Sequence, residues 1–418
     1  MKRSLHNLKG LILLAVSVLI LITLNACNDD EEGNSNAFLW SPKILVLKGD
    51  AQATLLLTDP RPFTEYVSPP TTPDYFEIFV SEDNISFSPL TKVGTDVTQV
   101  PVDKLTNGKS YYFFVTAARQ GITSALTDTV MTIPSRAFAT ESYFPDVNES
   151  VETLTTSFDR NYISYNAGSD LYYRESGSAS GQYVATNANG ATWSKNSNQL
   201  AYITTTTSGI SRYPHELRLL TTAGGQSTTL FSIDYPNFSL QYPEFTGNAD
   251  ELTFFSNENN PDKSYYDLWK MDVITLQRQR ITSFQSKGFY TGGRYDWSHN
   301  AEEVYLAGRY NIQKYESDIY KVNISSAAIT PIVVSPQWFE SNPAISPDNN
   351  RIAFTSDGSG RGELWVYDVA KSRTVQVTPI EGYLFDERYT ELQWLNDHEI
   401  LITAFKNTKS VPVKITLD

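Results

Sequence analysis

Residues 344–379 read AISPDNNRIAFTSDGSGRGELWVYDVAKSRTVQVTP, and their pattern decides the fold. An apolar anchor, Ile345, precedes a Pro/Asp/Asn turn. The apolar run Ile352-Ala353-Phe354 comes next, then a Gly-rich segment, an amphipathic run from Glu363 to Asp368, and a short outer run ending near Val377. Runs of β-branched and aromatic residues bounded by Gly, Pro, Asn and Asp read as strands. The stretch therefore predicts one small antiparallel sheet of four strands joined by short turns.

The same unit recurs upstream and downstream. Its first half reads TWSKNSNQLAYIT from Thr192, EFTGNADELTFFS from Glu244, DWSHNAEEVYLAG from Asp296, and QWLNDHEILITAF from Gln393. The anchors Trp193, Phe245, Trp297, Ile345 and Trp394 are spaced 52, 52, 48 and 49 residues apart. The second half aligns at Asp170-Leu171-Tyr172, Glu216-Leu217-Arg218, Asp267-Leu268-Trp269, Asp318-Ile319-Tyr320 and Glu363-Leu364-Trp365, so an acid opens each third strand. A more divergent unit around Tyr162 to Asp170 brings the number to six. Four strands per repeat at this period predict a β-propeller, in which each unit buries its apolar faces against its neighbours.

The 344–379 unit resembles the blade repeat of the TolB-type six-bladed β-propeller, a WD40-like repeat, through Ser346, Pro347, Asp348, Ile352, Ala353, Phe354, Ser356 and Asp357. That resemblance implies the fold and leaves function open, because one fold carries many functions. The last unit ends at Val411 to Asp418 without a fourth strand. A segment near Phe138 to Tyr143 is expected to supply it and close the ring, removing exposed sheet edges.

Residues 37–135 carry shorter runs of a different kind: ATLLLTD, DYFEIFVSED, FSPLTKV, TQVPVDKL, SYYFFVTAAR and LTDTVMTIP. Alternation of Tyr75, Glu77 and Phe79 against Phe76, Ile78 and Val80 predicts strands with one buried face. The stretch Leu105 to Ala117, L-x-x-G-x-x-Y-x-F-x-V-x-A, resembles a fibronectin type III domain. The resemblance implies that Tyr111 is a tyrosine-corner residue whose hydroxyl bonds back to upstream backbone. Leu55-Leu56-Leu57 stands where that family usually has a Trp, and Trp40 is expected to fill the space. The fold class expected overall is all-β, a fibronectin type III-like sandwich (37–135) followed by a six-bladed propeller (136–418).

The N-terminus reads MKRSLHNLKGLILLAVSVLILITLNAC. A basic start, an apolar run from Leu11 to Leu24 and a small-residue site form a secretory signal, and here the site runs into the chain's single cysteine. Leu24-Asn25-Ala26-Cys27 resembles the lipobox of bacterial lipoproteins. By that resemblance residues 1–26 are a signal peptide, and Cys27 is acylated to become the anchor in the lipid bilayer. A transmembrane helix is the alternative, since the apolar run is nearly long enough to span. Residues 27–36 then form an acidic tether. In one group of Gram-negative bacteria such acidic residues resemble an export tag to the outer face of the outer membrane, whereas in enteric bacteria they favour inner-membrane retention; the expected location is the outer membrane, exposed at the cell surface, with the periplasmic face as the alternative.

Removing residues 1–26 takes away Lys2, Arg3 and Lys9 and no acid, leaving 30 basic against 47 acidic residues. A net charge near −17 disfavours a nucleic-acid partner, because phosphate binding needs a basic surface. With one cysteine no disulfide can form within the chain.

Catalytic chemistry is hard to find. No G-x-S-x-G elbow occurs, and GSASG at Gly177 misplaces the Ser. The histidines remaining after residue 26, His215, His299 and His398, show no ligand spacing. His299 and His398 read as turn residues, whereas His215 falls in the open loop from Thr204. The stretch Asp357 to Gly360 departs from the EF-hand calcium pattern. Asp386-Glu387 and Glu302-Glu303 read as solvated charge. No catalytic residue, metal or cofactor is expected.

The loops Thr204 to His215, Asn257 to Tyr266 and Gly308 to Tyr315 carry Tyr, Asn, Lys and Arg and are expected to gather on one face. Three functions compete: a surface-anchored, non-enzymatic binding or scaffold lipoprotein with an envelope or extracellular protein as partner; a glycan-binding or polysaccharide-lyase propeller; and a periplasmic TolB-like envelope component.

Overall fold

The computed structural model describes residues 39–58, 72–143, 150–178, 180–205, 215–233, 238–335, 337–380, 383–385, 391–406 and 408–417. Cys27, the Leu11–Leu24 run, the tether, Asp386-Glu387 and most of the Thr204–His215 loop lie outside them.

Among the described residues, six four-stranded antiparallel sheets follow one another. Blade one runs Thr153–Thr156, Tyr162–Ala167, Asp170–Glu175, Gln182–Thr186, and blade five runs Glu340–Ile345, Arg351–Ser356, Glu363–Asp368, Arg373–Gln376. The innermost strands pack in sequence, and Thr153–Thr156 packs against Glu399–Lys406 of the last blade, which closes the circle. The ring is a six-bladed β-propeller by strand order alone. Its last sheet is completed from upstream: Ala139–Ser142 pairs with Lys409–Thr416, with Thr140 opposite Ile415 and Ser142 opposite Val413. Lys414 clasps the added strand, reaching Glu141 at 2.5 Å and Glu399 at 2.7 Å.

The anchors are buried where blade meets blade. Trp297 Nε1 donates to Thr253 Oγ1 of the preceding blade at 2.9 Å, and Trp394 Nε1 donates to the Ala344 carbonyl at 2.9 Å. In four blades the tight turn that follows the inner strand is built by a hydroxyl and an Asx side chain. Ser346 Oγ donates to Asp348 at 2.6 Å while accepting from Arg351 N at 2.9 Å, and Ser157–Asp159, Ser194–Asn196 and Ser298–Asn300 repeat the arrangement. Such side chains satisfy turn backbone that no ladder reaches. Two of the acids that open third strands are also structural. Asp267 is fully buried and accepts from Thr282 Oγ1 (3.0 Å) and Phe284 N (2.7 Å), while Asp318 accepts from Ser335 N (2.9 Å), so each pins the link to the next blade.

Ahead of the ring stand two further antiparallel sheets. One holds Lys43–Gly49, Gln52–Thr58 and Gln99–Val102; the other holds Ser88–Gly94, Tyr75–Ser81, Tyr111–Arg119, Ile122–Thr123 and Val130–Thr132. The first strand, Lys43–Gly49, is not among the runs read from sequence. Phe76 and Ile78 are buried between the sheets as the alternation requires, and Trp40 packs edge-on against Phe76 at 5.3 Å. Tyr111 accepts a hydrogen bond from Thr106 N at 3.1 Å.

These sheets dock on blade five. Val46 N donates to the Ser359 carbonyl (2.9 Å) and Met131 N to the Gly358 carbonyl (2.6 Å), while Trp338 stacks on Tyr112 and donates to the Thr129 carbonyl. Thr132 Oγ1 donates to the buried Gln376 Oε1 at 2.8 Å. The Asp357–Gly360 turn is thus a contact between the two halves of the molecule.

Candidate functional site

The six inner strands enclose a funnel of about 350 Å3, lined by residues from every blade. It opens at the face carrying the Asx turns, where Phe158, Lys195, Gly247 and His299 form its rim. The residue just before each anchor faces the funnel or the adjoining blade at equivalent register: Thr192, Glu244, Asp296, Ala344 and Gln393. These side chains are tied around the ring. Thr192 Oγ1 donates to Glu244 (3.1 Å), Ile345 N donates to Asp296 (2.8 Å), and Thr156 N donates to Gln393 Oε1 (2.8 Å).

Deeper in, β-bulges interrupt the inner strands, between Gln241 and Glu244, Thr291 and Tyr295, and Ser341 and Ala344. A bulge kinks a strand and re-aims its side chains. Tyr242 and Asn342 adopt positive φ there, and the neighbouring cavity-lining group from blade four is Arg294. Its guanidinium forms an ion pair with Glu391 of blade six and lies 5.4 Å from the Tyr242 ring. This bridge floors the funnel.

The Arg294 guanidinium thus pairs with Glu391 and lies near enough to Glu244 to favour its charged form, while Asp296 is held by the backbone N–H groups of Trp297 and Ile345. Burial within the ring pushes Glu244 up to about 8, and the nearby Asp296 adds to the rise. Burial likewise raises Asp296 to about 7 against the two backbone N–H groups that hold it down, and raises Glu391 against the opposing pull of Arg294. Removing water disfavours the charged form of an acid. An opposite charge beside these acids would favour their charged forms.

The three histidines play smaller parts. His299 and His398 are exposed turn residues, as their position in the repeat indicates. His215 does not sit in an open loop: it begins the strand His215–Thr221, and its Nδ1 accepts from Leu240 N at 3.2 Å, pinning blade two to blade three. Among the described residues, no group of three His, Cys, Asp or Glu is placed to hold a metal ion. The loops joining second to third strands lie at the face opposite the funnel mouth. Asn257 to Tyr266 is folded onto itself, with Asn260 bonding the Tyr265 carbonyl and Tyr265 stacked on Tyr290, whereas the blade-four loop leaves Tyr310 and Tyr315 53% and 75% exposed.

No helix among the described residues is long and apolar enough to cross a membrane. No protein-family model and no curated protein matches the chain. Among solved structures, TolB from Acinetobacter baumannii is similar at 11% identity and a TM-score of 0.42, over 75% of this chain and 77% of that one. An oligogalacturonate lyase in complex with manganese is similar at 11% identity and 0.45, over 91% and 97%, and the oligogalacturonate lyase of Vibrio parahaemolyticus at 10% and 0.42, over 74% and 86%. The propeller assignment rests on strand order and ring closure.

Proposed function

We propose that this protein is a lipid-anchored, non-enzymatic binding or scaffold module whose TolB-like propeller receives a cationic group of an envelope or extracellular protein in its funnel. The observation that carries the reading is the gathering of three buried carboxyl groups, Glu244, Asp296 and Glu391, in one funnel, of which only Glu391 has an ion-pair partner, Arg294. A cation brought beside a buried carboxyl favours its charged form and an anion does the reverse, so such a cluster selects partners by sign.

The lipobox-like Leu24-Asn25-Ala26-Cys27 supports anchoring through acylated Cys27, with the sandwich, read as fibronectin type III-like from its Tyr111 corner, as the spacer. Several acyl chains on one cysteine would make the attachment durable. The bridge is tested by titrating fluorescent octalysine into the full chain: it binds several-fold tighter than to a Glu244→Gln/Asp296→Asn variant, and octaglutamate does not bind. Equal binding to both proteins overturns the funnel reading. Palmitate incorporation lost in Cys27→Ser tests the anchor, and loss of the protein on protease treatment of intact cells separates the surface from the periplasmic face.

A second reading, glycan binding, is favoured by the exposed Tyr310 and Tyr315, since sugars stack on such rings. Binding on a glycan array that is lost in Tyr315→Ala would support it.

A further inference from the structure

Where the sandwich and the segment leading into the ring meet the outer strand of blade five, they enclose a second cavity of about 290 Å3. Its floor is apolar, with Ile133 and Phe138 from the connecting segment facing Val366, Val375 and Val377 of blade five. Its charged lining residues are Arg351, Asp368, Lys371 and Arg373, three cations to one anion in a chain whose net charge is −14. Two of the cations are committed: Arg351 donates to the Asp397 carbonyl at 3.2 Å, and Lys371 pairs with Asp368 at 2.9 Å. Arg373 has no hydrogen-bond or ion-pair partner among the described residues and stands beside Gly108 of the sandwich. A fourth cation lies behind the wall: Lys48 Nζ donates to Ser135 Oγ at 2.9 Å and sits 4.9 Å from the Phe138 ring, and both of those residues line the cavity.

Apolar atoms around a void lose dispersion contacts on its side. A concave apolar site with a few convergent polar groups, close to the usual lower size limit of about 300 Å3, is the general form of a small-ligand pocket. We propose that this junction cavity binds a compact organic carboxylate, its apolar body among Phe138, Val366 and Val375 and its carboxylate on Arg373. A single uncommitted guanidinium suits one monoanionic group, and planar bidentate pairing with carboxylate is what guanidinium does best. Because the cavity needs both halves of the molecule, a bound ligand also ties sandwich to ring.

The probe is 4-fluorobenzoate, titrated into the purified full chain and followed by 19F line broadening against a matched blank. Saturable binding is expected, weakened at least about tenfold in Arg373→Glu, the scale of a charge-assisted hydrogen bond. The neutral 4-fluorobenzyl alcohol is expected to bind at least about tenfold more weakly still than the acid. Val375→Trp, which fills the cavity, should abolish binding; should it fail to fold, the exposed Arg373→Glu and the alcohol decide the matter. Absence of saturable binding, equal binding by Arg373→Glu, or equal binding of the alcohol overturns the proposal.

Discussion

Arg294 of blade four and Glu391 of blade six form an ion pair that passes over blade five and closes the floor of the propeller funnel. Glu391 is 7% exposed and Arg294 26%, so the pair is largely shielded from water. Removing one partner of a shielded pair leaves an uncompensated charge. Arg294→Gln is therefore expected to lower stability at pH 8 by about 2–4 kcal/mol, and by less at pH 5, where the carboxyls take up protons. Urea unfolding at the two pH values checks both the size and the trend.

The raised acids of the funnel make a second prediction, and its sign follows from linkage. Glu244 and Asp296 bind protons more tightly in the folded than in the unfolded chain, at about 8 and about 7. Their contribution to stability is complete below the ordinary carboxylate range near pH 4 and is lost as pH rises toward 7 and 8. Thermal midpoints of the wild type should therefore fall between pH 5 and pH 8.5. Glu244→Gln should flatten that fall, and an equal slope in the variant would contradict the assignment.

Gly360 gives a third test. Its φ is +93°, and a Cβ there would lie 2.7 Å from the Ile44 carbonyl oxygen and 2.9 Å from Leu45 Cα, at the point where the sandwich touches blade five. Gly360→Ala is expected to cost about 1–3 kcal/mol and to loosen the junction. Faster limited proteolysis between the two halves, with the ring itself intact, is the expected readout.

The anchor Trp297 buries its ring between blades and donates to Thr253. Trp297→Ala should destabilise by about 3–5 kcal/mol, and Trp297→Phe by clearly less, measured by denaturant unfolding.

The ring was legible because its signals are local and repeated. A tight Ser-x-Asx turn in four units and an acid at the third strand of five recur in one order, and the incomplete last unit points to a strand upstream, where Ala139–Ser142 pairs with Lys409–Thr416. The funnel chemistry was half written in the same repeats. The residue before four of the five anchors, Thr192, Glu244, Asp296 and Gln393, is polar at a place where a strand between two packed blades should be apolar. Arg294 and Glu391 were not legible, because a bulge sets the aim of Arg294 and their partnership joins positions 97 residues apart. Nor was the contact of Ser359 with Val46, since a Gly-rich turn reads the same whether it faces solvent or another sheet. The place of His215 is hidden for a related reason: its ring accepts a hydrogen bond from Leu240 N in the next blade, a contact far from it in sequence.

The central claim, that the funnel mouth is where the partner sits, is tested most directly in living cells. A photoreactive benzoylphenylalanine placed at Phe158 on the funnel rim is compared with one at Ile274, 72% exposed in a blade-three turn. Irradiation should give a discrete cross-linked species from position 158 that disappears when Glu244 and Asp296 are changed to Gln and Asn. The absence of an adduct from 158, or the same adduct from 274 and from the charge-neutralised variant, would contradict the account.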